Sequence, residues 1–113
     1  MTRRAPYGNK SVDHMAFALS LPVRRWALLY AARNGQVHAR DLLREFPEYG
    51  QRMAAAEVFH VLRDKGFLVA GEKVLDVAGK RDQLPYTLTP LARQALRDLH
   101  ALVGELVLEV GDE

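Results

Sequence analysis

The sequence predicts a mainly α-helical fold with one small β-hairpin. Three observations carry this expectation. Apolar residues recur at three- and four-residue spacing in five separate stretches, and Gly35 and Gly66 stand just past two of them, where a left-handed residue ends a helix. The β-branched and aromatic residues gather instead between Phe67 and Leu88, on either side of a polar turn.

Residues 1–11, with Arg3, Arg4 and Lys10 around Pro6, Gly8 and Asn9, follow neither period and are expected to form a basic arm. Residues 12–113 are expected to form one domain, a usual size for a single core. Val12, Met15, Ala16 and Leu19 mark a short first helix. Ser20 as cap and Pro22 in the first turn open a second, along which Trp26, Leu29, Tyr30 and Arg33 recur before Asn34-Gly35 stops it. Gln36-Val37-His38 has room only for an edge strand. Ala39–Phe46 reads as a third helix, with Leu42, Leu43 and Phe46 inward, Arg40 and Arg44 outward, and Pro47 as its stop; Glu48-Tyr49-Gly50 makes a turn. Gln51–Lys65 is the fourth, and Ala55, Val58, Phe59 and Leu62 form its apolar stripe.

After Gly66, Phe67–Val69 and Val74–Val77 are strand material, Gly79–Gln83 is a polar turn with Lys80 and Arg81 at its tip, and Leu84–Leu88 returns as the antiparallel partner. Thr89 and Pro90 then open a long last helix over residues 90–110. Along it Ala92, Leu96, Leu99, Val103, Leu106 and Val110 alternate steps of four and three, the spacing of a coiled-coil seam, while Leu91, Ala95 and Leu102 make a second apolar face. A helix apolar on two sides packs on its own domain with one and on another molecule with the other. Leu96, Leu99, Val103, Leu106 and Val110 are therefore the expected dimer interface, and the chain is expected to be a homodimer.

Composition narrows the function. With no cysteine there is no disulfide framework, thiolate metal site or cysteine nucleophile. The only serines, Ser11 and Ser20, lie outside any nucleophile-elbow context, and His14, His38, His60 and His100 lack ligand-like spacing. No enzyme activity, metal or cofactor is expected. No apolar run approaches the roughly 18 residues that span a bilayer, and the first residues lack a secretory apolar stretch, so a cytoplasmic protein without membrane contact is expected. Charge is uneven: up to Arg52 the chain holds nine Lys/Arg against four Asp/Glu, and beyond it seven against ten. The basic half is amino-terminal.

The order helix, short strand, helix, turn, helix, hairpin with basic tip, long helix is that of a winged helix-turn-helix domain. The sequence resembles the small bacterial and archaeal transcriptional regulators of the ArsR, MarR and PadR type. The resemblance rests on Leu19-Ser20-Leu21-Pro22-Val23-Arg24, on Phe59-His60-Val61-Leu62-Arg63-Asp64-Lys65-Gly66-Phe67-Leu68, and on Tyr86-Thr87-Leu88-Thr89-Pro90-Leu91-Ala92. It is narrowest to the PadR type, through the long last helix and the tyrosine-leucine-threonine opening. The resemblance implies a dimeric repressor that binds double-stranded DNA.

In such a fold the fourth helix is the recognition helix, and a helix about 10–12 Å across matches the major groove. Gln51, Arg52, Met53, Ala54, Ala56, Glu57 and His60 lie on its amino-terminal and outward part. Arg52 can meet a guanine edge or clamp a phosphate; Glu57 can accept from cytosine N4 or pair with Arg52 along its own helix. Lys80 and Arg81 can reach phosphates or a minor groove from the wing, and Arg40, Arg44, Arg3 and Arg4 add backbone charge. The alternative is a winged helix used for protein contact or for organising DNA in plasmid partition or replication, where acidic residues near that helix are an asset. Trp26 is expected as a core anchor, and a cavity in the dimer would make it part of a pocket for a small-molecule effector.

Overall fold

The computed structural model describes residues 9–49, 52–71, 74–75 and 82–111, with the backbone alone at 52–53, 74–75 and 82–83. The helices are α1 (Lys10–Leu19), α2 (Pro22–Asn34), α3 (Ala39–Glu45), α4 (Arg52–Asp64) and α5 (Pro90–Val110), with a 3-10 turn at Pro47–Tyr49 between α3 and α4. The strands are β1 (Leu68–Ala70), β2 (Val74–Leu75), β3 (Asp82–Gln83) and β4 (Tyr86–Leu88). The fold is mainly helical with a small antiparallel hairpin, as the sequence predicts.

The hairpin has two ladders. Leu68 pairs with Leu88 and Ala70 with Tyr86 in the inner one, and Val74 pairs with Gln83 and Leu75 with Asp82 in the outer one. Pro85 lacks a backbone N–H, so the return strand is interrupted there, and the Pro85 carbonyl instead accepts from the Gly71 N–H at 2.7 Å. Asp82 and Gln83 are thus strand rather than turn: the return begins at Asp82, breaks at Leu84-Pro85 and resumes at Tyr86. Val37 adds an edge to the other side of Tyr86 through reciprocal N–H to carbonyl bonds of 2.9 Å, the single bridge for which Gln36–His38 has room.

The core joins all the layers. Met15, Ala18, Ala27, Val37, Leu42, Ala55, Phe59, Leu62, Phe67, Ala92 and Ala95 are buried in one cluster. Five alanines in that group let helices approach closely, and the Phe59 ring stacks on Tyr86 with centroids 4.5 Å apart, which fixes α4 against the hairpin. Trp26 meets Phe46 edge to face, and Phe46 meets Tyr49 in the same way, so an aromatic chain braces the turn between α3 and α4. Trp26 is half-buried against the core, as expected of an anchor.

Several local expectations are corrected. Ser20 does not cap α2: its hydroxyl donates to the Phe17 carbonyl at 2.6 Å and closes α1, leaving α2 to start at Pro22 without a side-chain cap. Asn9 accepts from the backbone N–H groups of Ser11 and Val12, so α1 starts at Lys10, before Val12. Ala18 rather than Ala16 faces the core. On α2 the buried face is Val23, Ala27, Leu28 and Ala31, which packs toward β4 and α4, and Leu29, about 100° further round the helix, is exposed. Phe46 caps α3 instead of belonging to it.

Candidate functional site

The candidate site is the outward face of α4. Its amphipathic pattern sets that face: Ala55, Val58, Phe59 and Leu62 are buried, which turns Ala56, Glu57, His60, Arg63 and Asp64 to the surface. The helix ends in a Schellman turn. The Phe67 N–H bonds the Leu62 carbonyl at 2.9 Å and the Gly66 N–H bonds that of Arg63 at 2.8 Å, with Gly66 at φ 83°. This turn drops the chain directly into β1. Both ends of α4 are therefore held, by the aromatic chain before it and by the hairpin after it.

Arg52 and Met53 open α4, where the structure describes the backbone only; Gln51, Lys80, Arg81 and the arm with Arg3 and Arg4 lie outside the described residues. Ala56, Glu57 and His60 share the exposed face. Ala54 lies on its flank, half-buried, in a groove of about 270 Å³ lined also by Leu21, Val23, Arg24, Tyr49 and Glu57. Arg40 is exposed on α3. Arg44 is exposed and donates to Asp41 of its own helix at 3.1 Å, and Asp41 also accepts from the His38 backbone N–H at 2.9 Å. The His38 Nδ1 lies 3.4 Å from the Asp41 carboxylate at the start of α3.

The dimer residues expected on α5 divide into two groups. Leu96 and Leu99 are half-buried against their own core, where α5 packs on α1 and the Asn9 side chain donates to Asp98 at 3.3 Å. Val103, Leu106 and Val110 are exposed, as are Val107 and Leu108. Position along the helix explains the split, because α1 covers only the first half of α5.

Two features escaped the sequence reading. Arg24 and Lys65 both lie over the exposed Phe17 ring, at 4.6 Å and 5.7 Å from its centroid, and so gather charge from α2 and the end of α4 at one place. An apolar pocket of about 240 Å³ opens among Leu19, Leu28, Leu29, Ala32 and Leu96, with Arg25 at its edge. Its signal was present in the spacing of Arg25, Leu29, Ala32 and Arg33, one exposed stripe of α2 that joins two apolar residues to two cations.

Among the described residues no three His, Asp or Glu side chains gather as a metal site, and no helix is long and apolar enough to cross a membrane. No family model matches the chain, and no curated protein matches it.

Proposed function

We propose that this chain is a winged helix-turn-helix protein that binds double-stranded DNA as a homodimer and regulates transcription, acting as a repressor. The observation that carries the reading is the placement of α4. It is anchored by one apolar stripe, follows α3 across a short braced turn, and passes at once into an antiparallel hairpin. Such a helix is free to enter a major groove while the hairpin flanks it as a wing. Ala56 supports close approach of the backbone, and Arg52, Glu57 and His60 supply groups able to meet base edges or phosphates. Lys80 and Arg81 are the wing cations of this proposal, and Arg40 adds charge on α3.

Selection of a random duplex library on the purified protein tests it. The expected result is an enriched palindrome whose half-sites lie about one helical turn, roughly 10 base pairs, apart. Recovery of duplexes without a shared motif would contradict sequence-specific regulation.

One observation favours a second reading, in which α4 serves a protein partner. The groove between α2, Tyr49 and α4 is mostly apolar and is lined by one carboxylate, Glu57, and one cation, Arg24, a surface better matched to an apolar peptide segment than to a phosphate backbone. Under that reading, Val61→Asp at the groove abolishes function while any DNA affinity stays as it was.

A further inference from the structure

The pocket beside Leu96 and the exposed end of α5 fit each other. Leu19, Leu28, Leu29, Ala32 and Leu96 make the pocket apolar, and Leu29 is 48% exposed although it stands on a core-forming helix. The end of α5 carries the opposite half of a contact: Leu106 and Val110 are 56% and 61% exposed. Charges agree as well. The exposed stripe of α2 sets Arg25 and Arg33 around Leu29 and Ala32, and α2 holds no acidic residue, whereas beyond Ala101 α5 carries Glu105 and Glu109 and no Lys or Arg.

The α5 seam also fixes a direction. Its apolar residues mirror one another about Ala101, Leu96 standing level with Leu106 and Leu99 with Val103 when two copies run antiparallel. Leu96 lines the pocket, so an antiparallel second copy brings its Leu106 to the pocket mouth, and the same mirror sets its Glu105 and Glu109 level with Arg97 and Arg93 of α5, beside the arginine-bearing stripe of α2. A two-fold axis repeats the contact, so that both pockets and both helix ends are covered at once.

The geometry points to an antiparallel exchange of α5 ends between two copies of this chain, each end seated in the partner's pocket among Leu19, Leu28, Leu29, Ala32 and Leu96. This inference rests on the homodimer reading above and specifies its geometry. Arg25, which donates to the Leu19 carbonyl at 2.8 Å, holds the rim in place and presents its remaining N–H groups to the incoming carboxylates. The interface joins α2 of one copy to α5 of the other, which sets the separation of the two α4 helices.

The absence of native cysteine makes the contact directly measurable by disulfide mapping. Leu29→Cys chains and Leu106→Cys chains, distinguishable by tag length, are mixed and mildly oxidised. The expected product is the mixed dimer, bridged from position 29 of one copy to position 106 of the other. The antiparallel arrangement places the two copies of position 106 about 15 Å apart along the axis, beyond the roughly 7 Å that a disulfide can span between Cα atoms. A predominant 106 to 106 bridge, or a sedimenting dimer with no mixed bridge, overturns the exchange and leaves the homodimer standing. A monomer at tens of micromolar overturns both. As an independent arm, Arg25→Glu weakens dimerisation roughly threefold and Glu109→Arg in the same chain restores it; no restoration in any of Glu105→Arg, Glu109→Arg or the two together counts against the exchange.

Discussion

Thr89 does three jobs at one corner of the fold. Its Oγ1 accepts from the Ala92 N–H at 3.0 Å, which caps α5, and donates to the Gly66 carbonyl at 2.6 Å, which ties that cap to the end of α4; its own N–H bonds the Phe67 carbonyl. Thr89→Ala is expected to lower stability by about 1–2 kcal/mol, and Thr89→Ser to recover most of it. For a chain of this size that is a fall of roughly 5–10 °C in the thermal unfolding midpoint. Gly66→Ala is the companion case. At φ 83° a side chain is strained, and a Cβ there meets Leu91 Cδ2 at 3.0 Å, so a cost of about 1–2 kcal/mol is expected in the same measurement. Both positions were legible in the sequence, since threonine before proline and glycine after an apolar stripe each have one favoured use. Ser20 was not. A hydroxyl between two helices can accept from the second or donate back to the first, and only the folded geometry decides between them.

At the scale of elements, α4 and α5 show what periodicity conveys and what it does not. The stripe on α4 was readable because its buried and exposed residues differ in polarity. Its exposed face makes a test: Ala56→Glu replaces a small exposed residue by a good helix former, so the unfolding midpoint should stay within about a degree or two, while a carboxylate at the groove should reduce duplex affinity at least roughly tenfold by repulsion from phosphate. Unchanged binding in an anisotropy titration would take the DNA surface away from α4. On α5 the apolar residues run through the whole helix, so the seam gives no sign that Leu96 and Leu99 belong to their own domain and Val103, Leu106 and Val110 do not. The two halves should respond differently. Leu99→Asp is expected to unfold part of the population, because full burial of a leucine is worth about 1.5–3 kcal/mol and this one is half-buried. Leu106→Asp is expected to keep helical circular dichroism and yield monomer in sedimentation. The buried face of α2 departs from expectation for a related reason: its large aromatic and aliphatic residues draw the predicted face toward themselves, whereas close helix packing selects Ala27 and Ala31 for the core.

For the whole molecule, the element order and the position of the hairpin were legible from turn residues and from where β-branched residues cluster. The two ladders within the hairpin were not, since the break depends on the backbone around Gly71 and Pro85. Charge is arranged on the same scale, with the basic excess before Arg52 and the acidic end on α5, so a DNA-bound dimer would turn its amino-terminal half toward the phosphates and its α5 ends away. In the proposed complex α4 reads duplex sequence while the wing holds the backbone. Fluorescence anisotropy on an enriched and a scrambled duplex, at several salt concentrations, tests it most directly with Arg52→Ala and Arg81→Ala. Arg81→Ala should weaken both duplexes alike and reduce the slope of log affinity against log salt by about one per site. Arg52→Ala should cost about 1–3 kcal/mol on the enriched duplex and far less on the scrambled one. Equal affinity of the wild type for the two duplexes, or no change in either variant, would contradict sequence reading by α4.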